Sequence, residues 1–229
     1  MNQTSLNLIA ITIFTLTMSA LVGPFVNLSP LIPAGLAFSL LVLGTIDTFA
    51  LQGQGSMILI EGIEGISPEK RDRILRHEAG HFLVAYLMNI PISGYALNTL
   101  EAFKQGQTGQ GGVRFNDQEL WIQLQKGQLS AQRIDQYCTV WMAGVAAEIL
   151  AYENAQGGLE DRGKIRAVWT QLKRPLSDAN LKERWATLQA QTLIEQNQSA
   201  YTALVEAMEQ RICVEECYQI LEKTLKISA

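Results

Sequence analysis

Two long apolar runs open the chain, Leu6 to Val22 and Leu31 to Leu51, each about the length of a bilayer-spanning helix, roughly 17–25 residues. The stretch between them, Gly23 to Pro30, carries turn residues and no charge, so the pattern predicts a tight helical hairpin. Thr12, Thr15, Thr17 and Ser19 interrupt the first run. Their hydroxyls can bond back to carbonyls of their own helix or across to the second. After Gln52 the pattern changes. Gln52 to Gly65 reads as a linker, its apolar Met57-Ile58-Leu59-Ile60 being either a strand or a juxtamembrane segment. Ser67, Pro68 and Glu69 then form a helix start, and Ile74, His77, His81, Val84 and Met88 recur on one face until Pro91 blocks continuation. Two weak strands follow, Tyr95 to Leu100 and Gly112 to Phe115, flanking a glycine-rich stretch from Gln105 to Gly112 that reads as a hairpin loop or a gate. From Ser130 an apolar face runs through Ile134, Cys138, Trp141, Met142, Val145, Ala146 and Ile149. Asn154 to Gly158 breaks it. A helix begins near Leu159 or Glu160, and two more follow, about Asp178 to Met208, continuous or interrupted, and Glu215 to Lys226.

The expected architecture is therefore mainly α: a two-helix membrane anchor at 1–51, a linker at 52–66, and a helical domain at 67–229 with a small β element. Charge supports that division. Residues 1–46 contain no Asp, Glu, Lys or Arg, and all 18 basic residues follow position 69. A cleaved signal peptide is the competing reading, but the first five residues offer no positive n-region. Lys70, Arg71, Arg73 and Arg76 are the first positive charges after the second span and predict a soluble domain on the cytoplasmic or stromal side. They crowd the start of a helix, where positive charge is unfavourable. Glu69 and Asp72 balance part of it, and anionic headgroups could take the rest. Asp47 falls near the end of the second span, at the membrane interface. A net charge of −4 argues against a nucleic-acid partner. Three cysteines, Cys138, Cys213 and Cys217, are an odd number without a disulfide framework and read as reduced packing thiols.

The candidate chemistry lies in His77-Glu78-Ala79-Gly80-His81, which contains the only two histidines of the chain. Residues four apart on a helix share a face, so both imidazoles can meet one zinc ion. Glu78 sits beside that point, where a carboxylate can take a proton from zinc-bound water. Gly80 costs about 1 kcal/mol of helix propensity relative to alanine, which suggests that another backbone packs close there. A catalytic zinc needs a third protein ligand. With no histidine left, the candidates include Glu101, Glu148, Glu153, Glu160 and Asp161, and the pattern alone does not choose among them. Glu148, on the apolar helix, could instead orient a ligand histidine. The glycine-rich stretch is no phosphate loop, since it lacks the Gly-Lys-Ser/Thr that reaches phosphates and magnesium.

Three segments together, His77-Glu78-Ala79-Gly80-His81, Ala143-Gly144-Val145-Ala146-Ala147-Glu148 and Gly157-Gly158-Leu159-Glu160-Asp161, resemble the peptidase domain of the membrane-bound FtsH-type ATP-dependent zinc proteases. The C-terminal Leu193 to Asn197 and Leu221 to Lys223 also look like the closing helices of that family, so the resemblance covers residues 67 to 226. It implies a zinc metalloendopeptidase with His77, His81 and Asp161 as ligands and Glu78 as general base, acting on a polypeptide substrate from a lipid-embedded anchor. A ring or mixed oligomer is implied too, and a photosynthetic membrane or a plasma membrane would suit it. The chain departs from the family pattern in three ways. Val145 stands where the family has arginine, and Glu160 stands where it has asparagine, leaving Glu160 as a competing third ligand. No Gly-x-x-x-x-Gly-Lys-Ser/Thr occurs, so the expected ATPase is missing from this sequence. Unfolding would then fall to an FtsH-type AAA+ partner, or substrates would already be loose. The rival expectation is a non-proteolytic adaptor or assembly factor that keeps the fold. A zinc hydrolase of small amides is a further alternative.

Overall fold

By its internal contacts the chain divides into two units, Met1–Ser67 with Asn98–Gly111, and Pro68–Leu97 with Gly112–Ala229. The structure, a computed structural model, describes residues 3–51, 53–64, 67–106 and 111–228. Among these the fold is mainly α, with eleven α-helices and one two-stranded sheet.

The first unit begins with α1 (Gln3–Val22) and α2 (Leu31–Ala50), joined through a 3₁₀ turn at Gly23–Val26. Pro24 starts that turn, and Asn27, at φ 59°, ends it while the Leu28 amide donates to the Gly23 carbonyl at 2.8 Å. Both helices are long and apolar enough to cross a membrane, with mean hydropathy 2.0 and 1.7, and only 6% of each span is buried within the protein. Their large apolar side chains, Phe14, Leu21, Phe38 and Phe49 among them, face outward. The Thr12, Thr17 and Ser19 hydroxyls donate to carbonyls of their own helix, at 2.8, 2.8 and 2.9 Å. The expected linker is helical: α3 (Gln54–Glu64) occupies most of it. Asp47 explains the start of that helix. Its carboxylate accepts the Gly55 and Ser56 amides at 2.8 and 3.0 Å, satisfying donors that a helix N-terminus leaves free. The fifth helix, α5 (Thr99–Lys104), packs on α3. It replaces the end of the expected strand Tyr95 to Leu100. Asn98 caps it by accepting the Glu101 amide at 2.8 Å, and its own amide donates to the Glu101 carboxylate at 2.7 Å. Four residues of the glycine-rich stretch, 107–110, lie outside the described residues.

In the second unit α7 (Ala131–Tyr152) is central, with α4 (Pro68–Leu87) and α9 (Leu176–Gln196) packed on it. Phe82 and Leu83 of α4 and Tyr137, Trp141 and Met142 of α7 belong to one buried core. Gly80 makes the approach possible: a Cβ there would lie 2.6 Å from the Ala143 carbonyl oxygen and 2.7 Å from the Ala147 Cβ. Helix α4 ends before Pro91. Asn89 takes a left-handed conformation (φ 54°) and the Ile90 amide reaches back to the Ala85 carbonyl at 2.9 Å. Ser130 caps α7 as expected, accepting the Arg133 amide at 3.2 Å. Strands β1 (Ile92–Ala96) and β2 (Gly112–Phe115) pair antiparallel, with an irregularity between Ile92 and Gly94. A short α6 (Gln118–Gln125) and α8 (Leu159–Gln171) follow in their turn. The helical run to Met208 is interrupted into α9 and α10 (Gln198–Glu209), because Asn197 leaves helical dihedrals and its side-chain amide donates to the Leu193 carbonyl at 2.8 Å. The last helix, α11 (Val214–Ser228), packs on α10. Cys138 and Cys217 are buried, Cys213 is exposed, and all three are free thiols.

Candidate metal centre

Helix α4 presents His77 and His81 one turn apart on the face that meets α7, so both imidazoles are buried. Asp161 comes from the first turn of α8, where Gly158, at φ +86°, turns the chain into the helix. A carboxylate is favoured at that end by the helix dipole. The three side chains converge. Nε2 of His77 and Nε2 of His81 are 3.1 Å apart, and each lies 3.4 Å from Oδ2 of Asp161. Ligand atoms about 2.0–2.1 Å from a tetrahedral centre stand roughly 3.3 Å from one another. The triangle therefore has the size such an ion requires, and the cluster could hold a metal ion.

The outer partners fix which nitrogen is free. Nδ1 of His81 is 2.7 Å from the Val140 carbonyl oxygen, which can only accept, so that nitrogen carries the proton and Nε2 keeps its lone pair. Nδ1 of His77 is 2.7 Å from Oε1 of Glu148, an ionised acceptor, with the same result. Two nitrogen lone pairs and a carboxylate oxygen thus point at one place, and only a cation or a proton relieves their repulsion. Burial by itself disfavours the His77 cation. Asp161 and Glu148 outweigh it and push the His77 pKa up to about 10 in the metal-free protein. Asp161 is likewise buried, yet the two histidines and Lys164 hold its carboxyl well below the usual range.

Glu148 is held as firmly as the ligands. Its Oε2 accepts from Arg73 Nη1 at 2.8 Å and from the Gln156 amide at 2.8 Å, and its Oε1 accepts the Gly157 amide at 3.1 Å. Burial would raise its pKa, but His77, Arg73 and the Gln156 amide bring it down to about 2. The Arg73 guanidinium lies 4.1 Å above the Tyr152 ring, and Tyr152 donates to Asp72. Arg73→Met should therefore loosen the metal without touching a ligand. Competition against a chromogenic chelator should show affinity lowered about 10–100-fold, and unchanged affinity would mean that Glu148 keeps its place unaided.

Small residues clear the space for these groups. A Cβ at Gly144 would lie 2.3 Å from His77 Nε2, so the imidazole occupies room that only glycine leaves. Glu78, half-buried on the neighbouring face of α4, accepts the Val113 backbone amide at 2.8 Å. The carboxylate is thereby held against β2.

The cluster contains His77, His81 and Asp161, with Glu78 beside His77 in the chain. Of the other carboxylates weighed for the third position, Glu160 is exposed, Glu153 is exposed at the left-handed end of α7, and Glu101 belongs to α5 in the first unit. Glu148 bonds to His77 rather than joining the cluster. Arg73 and the Val113 amide had no distinguishing sequence signal, and Gly144 stood in one of the three resembling segments without a sign of its role against His77. Arg73 stood among four basic residues, and its partner lies 75 positions away. Neither a protein-family model nor a curated protein matches this chain.

Proposed function

We propose that the chain is a membrane-anchored zinc metalloendopeptidase that hydrolyses peptide bonds in loose or partner-unfolded polypeptides. The observation that carries this is the convergence of two histidine Nε2 atoms and one aspartate oxygen at tetrahedral-edge spacing, with a carboxylate one residue from the first ligand. Two imidazoles and a carboxylate suit zinc, and the geometry suits a site with one position left for water. The resemblance of three separate segments to the FtsH-type peptidase domain supports the same reading.

Zinc bound there would supply a Lewis acid that activates water near neutral pH and polarises the scissile carbonyl. His77, His81 and Asp161 would hold it, with Glu148 and the Val140 carbonyl fixing the ring orientations. Glu78 takes the proton of the attacking water as the new C–O bond forms. It then delivers that proton to the amide nitrogen as the C–N bond breaks. The Val113 amide keeps the Glu78 carboxylate aimed while it waits. Any dependence on ATP would come from a partner of the AAA+ class.

The test uses the full-length protein in vesicles and an unfolded polypeptide carrying a quenched fluorophore. Wild type should cleave it, a zinc chelator should stop cleavage, and Glu78→Gln should retain metal while slowing cleavage by about 10²–10⁴-fold. A Glu78→Gln protein that cuts at the wild-type rate would falsify the mechanism. A metal-loaded wild type that cuts nothing would leave the adaptor reading in its place.

A further inference from the structure

The hairpin between β1 and β2 is not closed by a simple loop. After Ala96 the chain leaves the second unit, forms α5, and returns at Gly112, and residues 98–111 count by their contacts with the first unit. There α5 lies on α3, and α3 is fastened to the end of α2 through the Asp47 carboxylate. Helix α3 also touches α1. Because α1 and α2 are joined by a tight turn at their other ends, α3 and α5 gather where the two spans emerge.

Helix α5 is two-faced. Thr99 and Ala102 are fully buried, whereas Leu100 and Phe103, three residues apart on the adjacent face, are 45% and 44% exposed. Leu59 on α3 is exposed as well. Lys104 closes the last turn of α5, a place suited to anionic headgroups. Large apolar side chains on short helices beside the end of a span are the pattern of an interfacial segment, which buries one face at the boundary of headgroups and acyl chains.

We propose that α5 is a second membrane contact, inserting Leu100 and Phe103 into the lipid interface beside the hairpin. This rests on reading α1 and α2 as membrane-spanning. The occupant is lipid because α5 packs on α3, which touches both spans within the same unit.

The test labels single cysteines with an environment-sensitive fluorophore in the full-length protein reconstituted in phosphatidylcholine–phosphatidylglycerol vesicles. Cys138 and Cys217 are buried, so Cys213→Ser is the background. Phe103→Cys and Leu100→Cys should give blue-shifted emission, quenched by lipids spin-labelled near the headgroup and protected from aqueous iodide. Phe38→Cys, within α2, should be quenched by deeply spin-labelled lipids, and Glu206→Cys, exposed on α10, by iodide alone. Iodide quenching at 100 and 103 equal to that at 206 would overturn the inference while leaving the spanning hairpin intact. Protection from iodide without lipid quenching would also overturn it, in favour of a covering protein. Failure of Phe38→Cys to meet lipid would remove the membrane reading itself, and the inference with it.

Discussion

Gly144→Ala should empty the metal centre. The added Cβ would fall 2.3 Å from Nε2, 2.4 Å from Cδ2 and 2.6 Å from Cε1 of His77, far inside van der Waals contact. The imidazole has nowhere to go. Its Nδ1 is tied to Glu148, which Arg73 and two backbone amides hold in turn. Nor can the helices separate cheaply, since Gly80 seats α4 against the Ala143 carbonyl and buried side chains of both helices share one core. Overpacking of this kind costs about 1–3 kcal/mol of stability, and here it strikes a ligand directly. Metal content by mass spectrometry should fall well below one ion per chain, and the melting temperature should drop. A variant with one ion per chain and wild-type melting would show that α4 and α7 stand further apart than described.

Asp161→Ala should lower metal affinity by more than the ~10–100-fold expected from an outer partner such as Arg73, because it removes a ligand atom and a charge together. The two imidazoles alone leave a divalent ion with two protein donors, fewer than a stable tetrahedral site needs. Asp161→Asn keeps the shape and removes the charge, so its affinity should fall between the two. Glu160→Ala is the matched control, being one residue away and exposed, and should bind metal as wild type. Chelator competition separates these cases. Equal losses at 160 and 161 would mean that the Glu160 carboxylate shares in holding the ion.

The helices that carry the site were legible because their signals are local. Ser67-Pro68-Glu69 and Ser130 mark where α4 and α7 begin, and an uncharged apolar start marks the two long N-terminal helices. The glycine at position 80 also announced a close backbone. The third member of the cluster was not legible from spacing, because Asp161 reaches the histidines through the placement of α8 in space. Only the likeness of three segments to a known peptidase singled it out among five carboxylates. Helix α3 was missed since its cap is Asp47, eight and nine residues before the amides it accepts. Asn98 and Glu101 did spell out a helix start, but the apolar alternation beside them read as strand.

The Val113–Glu78 hydrogen bond carries a consequence for how this chain could change over generations. His77, Gly144 and Glu148 are bound into the packing of α4 on α7, so altering any of them disturbs the core whether or not the protein cuts anything. Glu78 is different. Within the fold it satisfies one strand amide, a task that aspartate or glutamine could share, and no core contact depends on its carboxylate being ionised. In a lineage retaining this architecture for assembly alone, selection would guard the histidine scaffold and release position 78 first. Glutamate at that position is therefore the part of the motif that the fold itself needs least, so its substitution probes chemistry with the least disturbance to the packing.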